Sequence, residues 1–381
     1  MCCTGQWRRV RCSSKKPHAV PRVEGDPELV KKAIALLKQA QRPIVLTGTG
    51  VFWSGAMQEL KEFVELSGIP FYTTPQGRGV IPEDHPLSFL GARNQAWKEA
   101  DVVLIVGTRL NFIIGFGLPP RFAEEVKIVQ VDISDEEIGR NRPVDIGIVG
   151  DAKMVLRQLI NEGRAAFRGR KELPWVETLR GYDKRSQEKS TALLNSDAMP
   201  IHPLRLCKEV RDFMNRDAII VVDGHEILNF ARQSVPTHVP GHRVNAGPNG
   251  CMGVAVPFGL GAKVAKPNTQ VIVLSGDGSF GMNGMEIDTL VRHNIPAIIV
   301  ISNNGGWAGV GGMQAGRDLG FGRYDKMAEV FGAYAEYVER PQDIRPALER
   351  AAASGKPAVI NVITDPHARS STVSFANYRA I

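Results

Sequence analysis

The sequence predicts an α/β protein with two doubly wound parallel-sheet domains, and three observations predict it. Short runs rich in Val and Ile alternate with amphipathic helical stretches, as strands covered on both faces by crossover helices do. The alternation comes in two blocks, parted by a charge-dense stretch. A length of 381 residues suits two domains of ordinary size.

Residues 21–165 read as the first domain. Asp26 before Pro27 is an N-cap with proline at the first helical position, and Leu29, Ala33, Leu36, Leu37 and Ala40 follow at helical spacing. Pro43 stops that helix. A buried strand at 44–46 runs into Thr47-Gly48-Thr49-Gly50. A helix near 56–66 carries Leu60, Phe63 and Val64 on one face. Strands follow at 71–73, 102–106 and 128–131, and a helix near 154–160 closes the domain.

Residues 166–200 crowd Arg168, Arg170, Lys171, Lys184, Arg185 and Lys189 among few apolar anchors, and read as an exposed linker with helical pieces. Residues 201–366 read as the second domain. Pro203 opens a helix with Leu204, Cys207, Val210 and Phe213 on adjoining apolar positions. A strand at 218–222 ends in Asp223-Gly224-His225, and a Gly-rich helix begins near Gly250. Strands at 271–274, 297–301 and 358–363 alternate with helices at 284–293 and 342–353. The tail at 367–381 has the position of a lid and carries no recognisable motif.

Composition excludes several classes. No apolar run reaches the roughly 18 residues of a membrane span. The net charge of +7 is concentrated in residues 1–20, which hold five basic residues and no acid, leaving +2 for the rest. A nearly neutral body offers no groove to a phosphate backbone, so nucleic acid is not an expected partner. Five cysteines at scattered positions fit neither a disulfide framework nor a zinc site and point to a reducing compartment. The expected location is cytoplasmic, with organelle targeting by the basic leader as the alternative. A non-native start upstream of a real domain explains the leader equally well.

The chemistry lies in Ser275-Gly276-Asp277-Gly278-Ser279 and Asn303-Asn304-Gly305-Gly306. Each follows a buried strand, with a helix between. A strand–helix–strand crossover places both strand ends on one edge of a parallel sheet, where α/β proteins bind ligands. Asp277 would bring a charge, Asn304 a neutral oxygen and Gly306 a backbone carbonyl. That set suits Mg²⁺, which prefers oxygens and one or two protein carboxylates together with substrate phosphates. Gly278 and Ser279 would offer N–H groups and a hydroxyl to a diphosphate. His225 is a candidate for diphosphate or substrate, or a helix-start histidine with no task. Trp307 is either pocket lining or ordinary packing.

The Gly-Asp-Gly-Ser run with Asn304 27 residues after Asp277 is similar to the signature of thiamine-diphosphate enzymes. The resemblance implies Asp277, Asn304 and the Gly306 carbonyl as Mg²⁺ ligands, with Gly278 and Ser279 on the diphosphate. It extends to Gly250-Cys251-Met252-Gly253. There Met252 would fold the two cofactor rings together, and the backbone beside it would meet the aminopyrimidine. Gly107-Thr108-Arg109-Leu110-Asn111 and Val131-Asp132-Ile133-Ser134 resemble the middle domain of the 2-hydroxyacyl-CoA lyase and oxalyl-CoA decarboxylase branch. By that resemblance Arg109 and Asp132 would contact a regulatory ADP, through phosphate and ribose, although Thr49 stands where a lysine is usual.

The implied activity is carbon–carbon cleavage or decarboxylation of a 2-hydroxyacyl-CoA or 2-oxoacyl-CoA. Acetolactate-synthase-like joining of 2-oxo acids, or a non-catalytic subunit, are the alternatives. A homodimer or homotetramer is implied. Such enzymes carry a further domain upstream, whose glutamate activates the cofactor. The expectation is a chain truncated at its N-terminus, in which no residue takes that catalytic role.

Overall fold

The structure, a computed structural model, describes residues 21–307 and 315–370. The leader at 1–20, with Cys2, Cys3 and Cys12, and residues 371–381 of the expected tail lie outside the described residues.

The first domain runs α1 (Pro27–Gln39), β1 (Pro43–Thr47), α2 (Thr49–Ser54), α3 (Met57–Ser67), β2 (Phe71–Thr73), α4 (Arg93–Glu99), β3 (Val102–Val106), β4 (Lys127–Asp132), β5 (Ile146–Val149) and α5 (Ala152–Ala166). Asp26 caps α1 by accepting from the Glu28 N–H (2.8 Å). The sheet is parallel throughout, in the order β2-β1-β3-β4-β5. Every residue of β1 and β3 is buried, which is why neither shows an alternating pattern. One face packs Leu37, Phe63 and Leu156 from α1, α3 and α5. The other packs Trp97 of α4 with Phe122, Trp175 and Leu179.

Trp175 and Leu179 belong to α6 (Pro174–Leu194), in the stretch expected to be an exposed linker. Its first turns carry Trp175, Val176 and Leu179 on one stripe and bury them under the first sheet. Charged residues solvate the remainder.

The second domain runs α7 (Pro203–Phe213), β6 (Ile219–Asp223), α8 (Glu226–Ser234), β7 (Arg243–Val244), α9 (Ala255–Ala265), β8 (Val271–Gly276), α10 (Asp277–Asn283), α11 (Glu286–Arg292), β9 (Ile298–Asn303), α12 (Tyr324–Val330), β10 (Tyr334–Val338), α13 (Ile344–Ala353) and β11 (Ala358–Ile363). Its sheet is also parallel, in the order β10-β11-β9-β8-β6-β7. The Gly-rich helix begins at Ala255 rather than near Gly250. Gly250 (φ +64°) and Gly253 (φ +89°) hold left-handed backbone, so the preceding segment is a loop.

The domains meet around a buried ion pair. Arg78 Nε donates to Glu83 Oε1 (2.6 Å), and Glu83 Oε2 accepts from the Thr237 N–H of the second domain (2.7 Å). Arg78 also donates to the carbonyls of Arg232 (3.1 Å) and Val235 (3.0 Å).

Candidate functional site

In the second sheet the chain leaves β6 outward to β7 and returns on the other side as β8, so β6 and β8 flank a switch point. Asp223 pairs with Ser275, and Gly276 with Ser302, so the carboxyl ends of β6, β8 and β9 stand side by side. The crevice above them is lined by His225, Met252, Asp277, Ser279, Asn304 and Trp307, among others.

Asp277 opens α10 directly after β8 and is 2% exposed. Its Oδ2 is buried with no hydrogen-bond partner. Burial pushes its carboxyl up to about 6, opposed by backbone N–H groups of Gly278, Gly305 and Gly306 rather than by a basic side chain. Asn304 follows β9. Its side-chain oxygen lies 3.0 Å from Asp277 Oδ1 and 3.0 Å from the Gly306 carbonyl oxygen. The same oxygen accepts from the Gly306 N–H (3.4 Å), while its two oxygen neighbours place no donor against it.

Turning the Asn304 amide would supply N–H donors to both neighbours, but Asp277 Oδ2 would stay buried and unpaired, with its charge uncompensated. A cation satisfies all of it. Adjacent ligands of an octahedral ion at about 2.1 Å lie about 3.0 Å apart, the separation seen here. The donors are thus one carboxylate, one amide and one carbonyl, which fits a hard ion such as Mg²⁺. Among the described residues no group of three or more His, Cys, Asp or Glu could hold a metal, so a thiol or imidazole centre is not offered.

The neighbouring groups are acceptor-seeking or apolar. Ser279 Oγ is buried without a partner. A Cβ on Gly278 would lie 3.3 Å from the Trp307 ring, which therefore seats directly on this backbone. Met252 lines the crevice, while Gly250 and Cys251 are exposed just before it. The His225 imidazole is 57% exposed, with Nδ1 3.5 Å from Glu226 Oε1. Glu226 Oε2 accepts from the N–H and the Oγ of Ser370 (2.8 Å each), so the described end of the chain reaches the rim. The crevice holds about 40 Å³. That takes an ion and a few oxygens, and the rest of a larger ligand would lie over the open rim.

Residues 30–159 match the central domain of thiamine pyrophosphate enzymes, and residues 227–362 match their C-terminal TPP-binding domain. The chain belongs to the thiamine pyrophosphate enzymes. It is similar to a probable acetolactate synthase of Mycobacterium bovis, at 38% identity over 92% of this chain and 65% of that protein. It is also similar to the 2-hydroxyacyl-CoA lyase of Oryza sativa subsp. japonica, at 36% identity over 93% of this chain and 65% of that one. The oxalyl-CoA decarboxylase of Escherichia coli K12 is 34% identical over 90% of this chain and 62% of its own length. The chain thus spans just under two thirds of the curated relatives it matches.

In the TPP-binding domain one positioning residue escaped sequence reasoning. Asp223, buried at the end of β6, accepts from the N–H groups of Gly253 (2.8 Å) and Ala255 (3.1 Å) and so holds the Met252 loop against the crevice. Its partners lie 30 and 32 residues away, and no local pattern links them.

The central domain carries a much larger cleft of about 600 Å³. It opens at the carboxyl ends of β1, β3 and β4, across the switch point between β1 and β3. Thr49, Gly50, Gly107, Arg109 and Asp132 line it. Asp132, at the end of β4, has its carboxyl raised by burial and accepts from the Ser134 N–H (3.1 Å). Arg109 stands at the mouth, its side chain 71% exposed and its Nε 3.5 Å from Glu137.

Proposed function

We propose that this chain binds thiamine diphosphate with Mg²⁺ at the crevice of the second sheet and serves cleavage or decarboxylation of a 2-hydroxyacyl-CoA or 2-oxoacyl-CoA. The observation that carries this reading is the convergence of Asp277, Asn304 and Gly306 oxygens beside an unpaired buried carboxylate oxygen. In this reading Asp277 and Asn304 hold the ion, with the Gly306 carbonyl as third protein ligand. Ser279 and the Gly278 N–H take diphosphate oxygens, and Met252, with the backbone of Gly250 and Cys251, supports the aminopyrimidine. His225, exposed at the rim beside Glu226, would meet diphosphate or substrate. Bound thiamine diphosphate supplies a carbon nucleophile and electron sink; the chain's own residues position it and hold its charge. The lyase of rice and the decarboxylase of Escherichia coli support an acyl-CoA substrate.

The mycobacterial acetolactate synthase supports a second reading, the joining of two 2-oxo acids. Assays with 2-hydroxyacyl-CoA, oxalyl-CoA and pyruvate separate the two. They are run on the chain alone and with an added domain bearing the activating glutamate. Acyl-CoA cleavage without acetolactate formation supports the first reading, and the reverse supports the second.

We read the central cleft as a nucleotide site for ADP. An acid at the end of a parallel strand, one strand beyond those flanking a switch point, suits a ribose diol, as Asp132 does here, and Arg109 is the phosphate candidate closest to the mouth. A homodimer or homotetramer is supported by the apolar face of α9 to α11. Phe258, Val264, Met282 and Met285 are exposed there.

A further inference from the structure

Asn303 ends β9, and Asn361 lies within β11, the neighbouring strand; both are fully buried. Amides among the Val and Ile of a sheet interior cost stability unless each donor and acceptor is met. Here every one is met. Asn361 Nδ2 donates to the Gly322 carbonyl (2.8 Å) and to Asp325 Oδ1 (3.2 Å), and its Oδ1 accepts from Asn303 Nδ2 (3.1 Å). Asn303 Nδ2 also donates to the Gly322 carbonyl (3.0 Å), and its Oδ1 accepts from the Gly305 N–H (3.2 Å).

These bonds have a direction. Asp325, in the first turn of α12, is 2% exposed and accepts from Arg323 Nε (3.0 Å) and Nη2 (2.6 Å). Burial opposes its charge, but Arg323 and Asn361 hold its carboxyl below the ordinary value of 3.8. An ionised carboxylate only accepts. It therefore takes the N–H side of the Asn361 amide, which turns the Asn361 oxygen toward Asn303. Asn303 answers with its own N–H side, and its oxygen is left for Gly305.

The chain of bonds ends on the loop that carries two of the cation donors. Gly305 (φ +74°) makes the turn between Asn304 and Gly306. Its N–H is held by Asn303, and its carbonyl accepts from the Leu319 N–H (2.9 Å), so its backbone is pinned on both sides. Fixing this residue fixes the directions of the Asn304 side chain before it and the Gly306 carbonyl after it. Neither Asn303, Asn361 nor Asp325 lines the crevice itself.

We propose that Asn361, acting through Asn303, is a positioning residue for the cation site: it sets the Gly305 backbone so that the Asn304 side chain and the Gly306 carbonyl converge on Asp277. This rests on the reading of the crevice as a Mg²⁺ site and adds a residue that touches neither ion nor cofactor.

The test is the Mg²⁺ dependence of thiamine diphosphate binding, read by tryptophan fluorescence at fixed cofactor, beside the urea midpoint of the metal-free chain. Asn361→Leu keeps the bulk and deletes the bonds; it should raise the half-saturating Mg²⁺ concentration about tenfold or more, as loss of a group behind metal ligands does. Asn361→Ser keeps one hydroxyl for Asn303 and should fall between Asn361→Leu and wild type. Leu206→Ala opens a cavity under α7 of the same domain, so it should lower the urea midpoint and leave the Mg²⁺ dependence unchanged. Wild-type Mg²⁺ dependence in both Asn361 variants overturns the proposal. So does a loss that follows the urea midpoint across all three variants, which would make Asn361 an ordinary core residue. If Asn361→Leu does not fold, Asn361→Ser decides by the same comparison with Leu206→Ala. If cofactor binding to wild type shows no Mg²⁺ dependence, the cation reading itself falls, and the proposal with it.

Discussion

The end of the Asn304 side-chain amide lies 3.0 Å from Asp277 Oδ1 at the bottom of a crevice. An amide N–H turned toward the carboxylate, or a cation between two oxygens, accounts for this approach, and the buried, unpaired Oδ2 of Asp277 favours the cation. Replacing Asn304 by Leu keeps the bulk and deletes the oxygen. Removing one neutral ligand should weaken Mg²⁺-dependent thiamine diphosphate binding about tenfold, on the order of 1–2 kcal/mol for a lost buried polar contact. Fluorescence titration of cofactor at saturating Mg²⁺ reads the change. Unaltered affinity would mean that Asn304 holds only its loop.

The Arg78–Glu83 pair makes the domain seam sensitive to acid. Burial alone would raise the Glu83 carboxyl, but Arg78 chiefly, with Arg243 and the Thr237 N–H, holds it below its ordinary value of 4.5. A carboxyl with a lowered folded pKa adds stability that is fully present above its unfolded pKa and is lost as pH falls through the folded one. Urea midpoints should therefore be flat above pH 5 and drop below pH 4.5. Glu83→Gln should lose part of that drop and be less stable at pH 7 by roughly 3 kcal/mol, as when one partner of a buried pair is removed. A variant as stable as wild type at pH 7 would show that the pair contributes nothing to the seam.

Packing of α9 on β8 depends on Gly259. A Cβ there would stand 2.3 Å from Val273 Cγ2, a buried side chain that branches at its own Cβ and has little room to turn. Gly259→Ala gains helix propensity of about 1 kcal/mol. It loses more to overpacking, roughly 1–3 kcal/mol. A net fall in the urea midpoint is expected. A rise would mean that the helix can lift off the strand at no cost.

Residues 258, 261 and 264 share one exposed face of α9, beside exposed Met282 and Met285. Such a face promotes self-association. Sedimentation velocity should find a dimer or larger, and Met285→Glu with Val264→Glu should shift it toward monomer. A wild-type monomer at micromolar concentration would contradict the oligomer reading.

Much of this was legible in the sequence, and the reasons are local. Strands β1, β3, β8, β9 and β11 are continuous buried runs of Val and Ile, so their positions were plain to within a residue or two. Asp277 and Asn304 were legible as a pair because both directly follow such strands. Strand β10 was missed because Tyr334–Val338 is only half-buried at the sheet edge and its Glu336 pairs with Arg350. The buried half of α6 was missed because three apolar residues are a weak signal within a charged helix. Asp223 acts across the fold, on residues that no spacing rule connects to it.

Calorimetry of thiamine diphosphate binding to wild type and Asp277→Ala, each with Mg²⁺ and with chelator, tests the central claim most directly. Wild type should bind only with the metal. Asp277→Ala should lose at least a hundredfold in affinity, about 3 kcal/mol, because it removes the charged ligand of the ion. Equal affinity for the two proteins, or binding by wild type that ignores the chelator, would contradict the site.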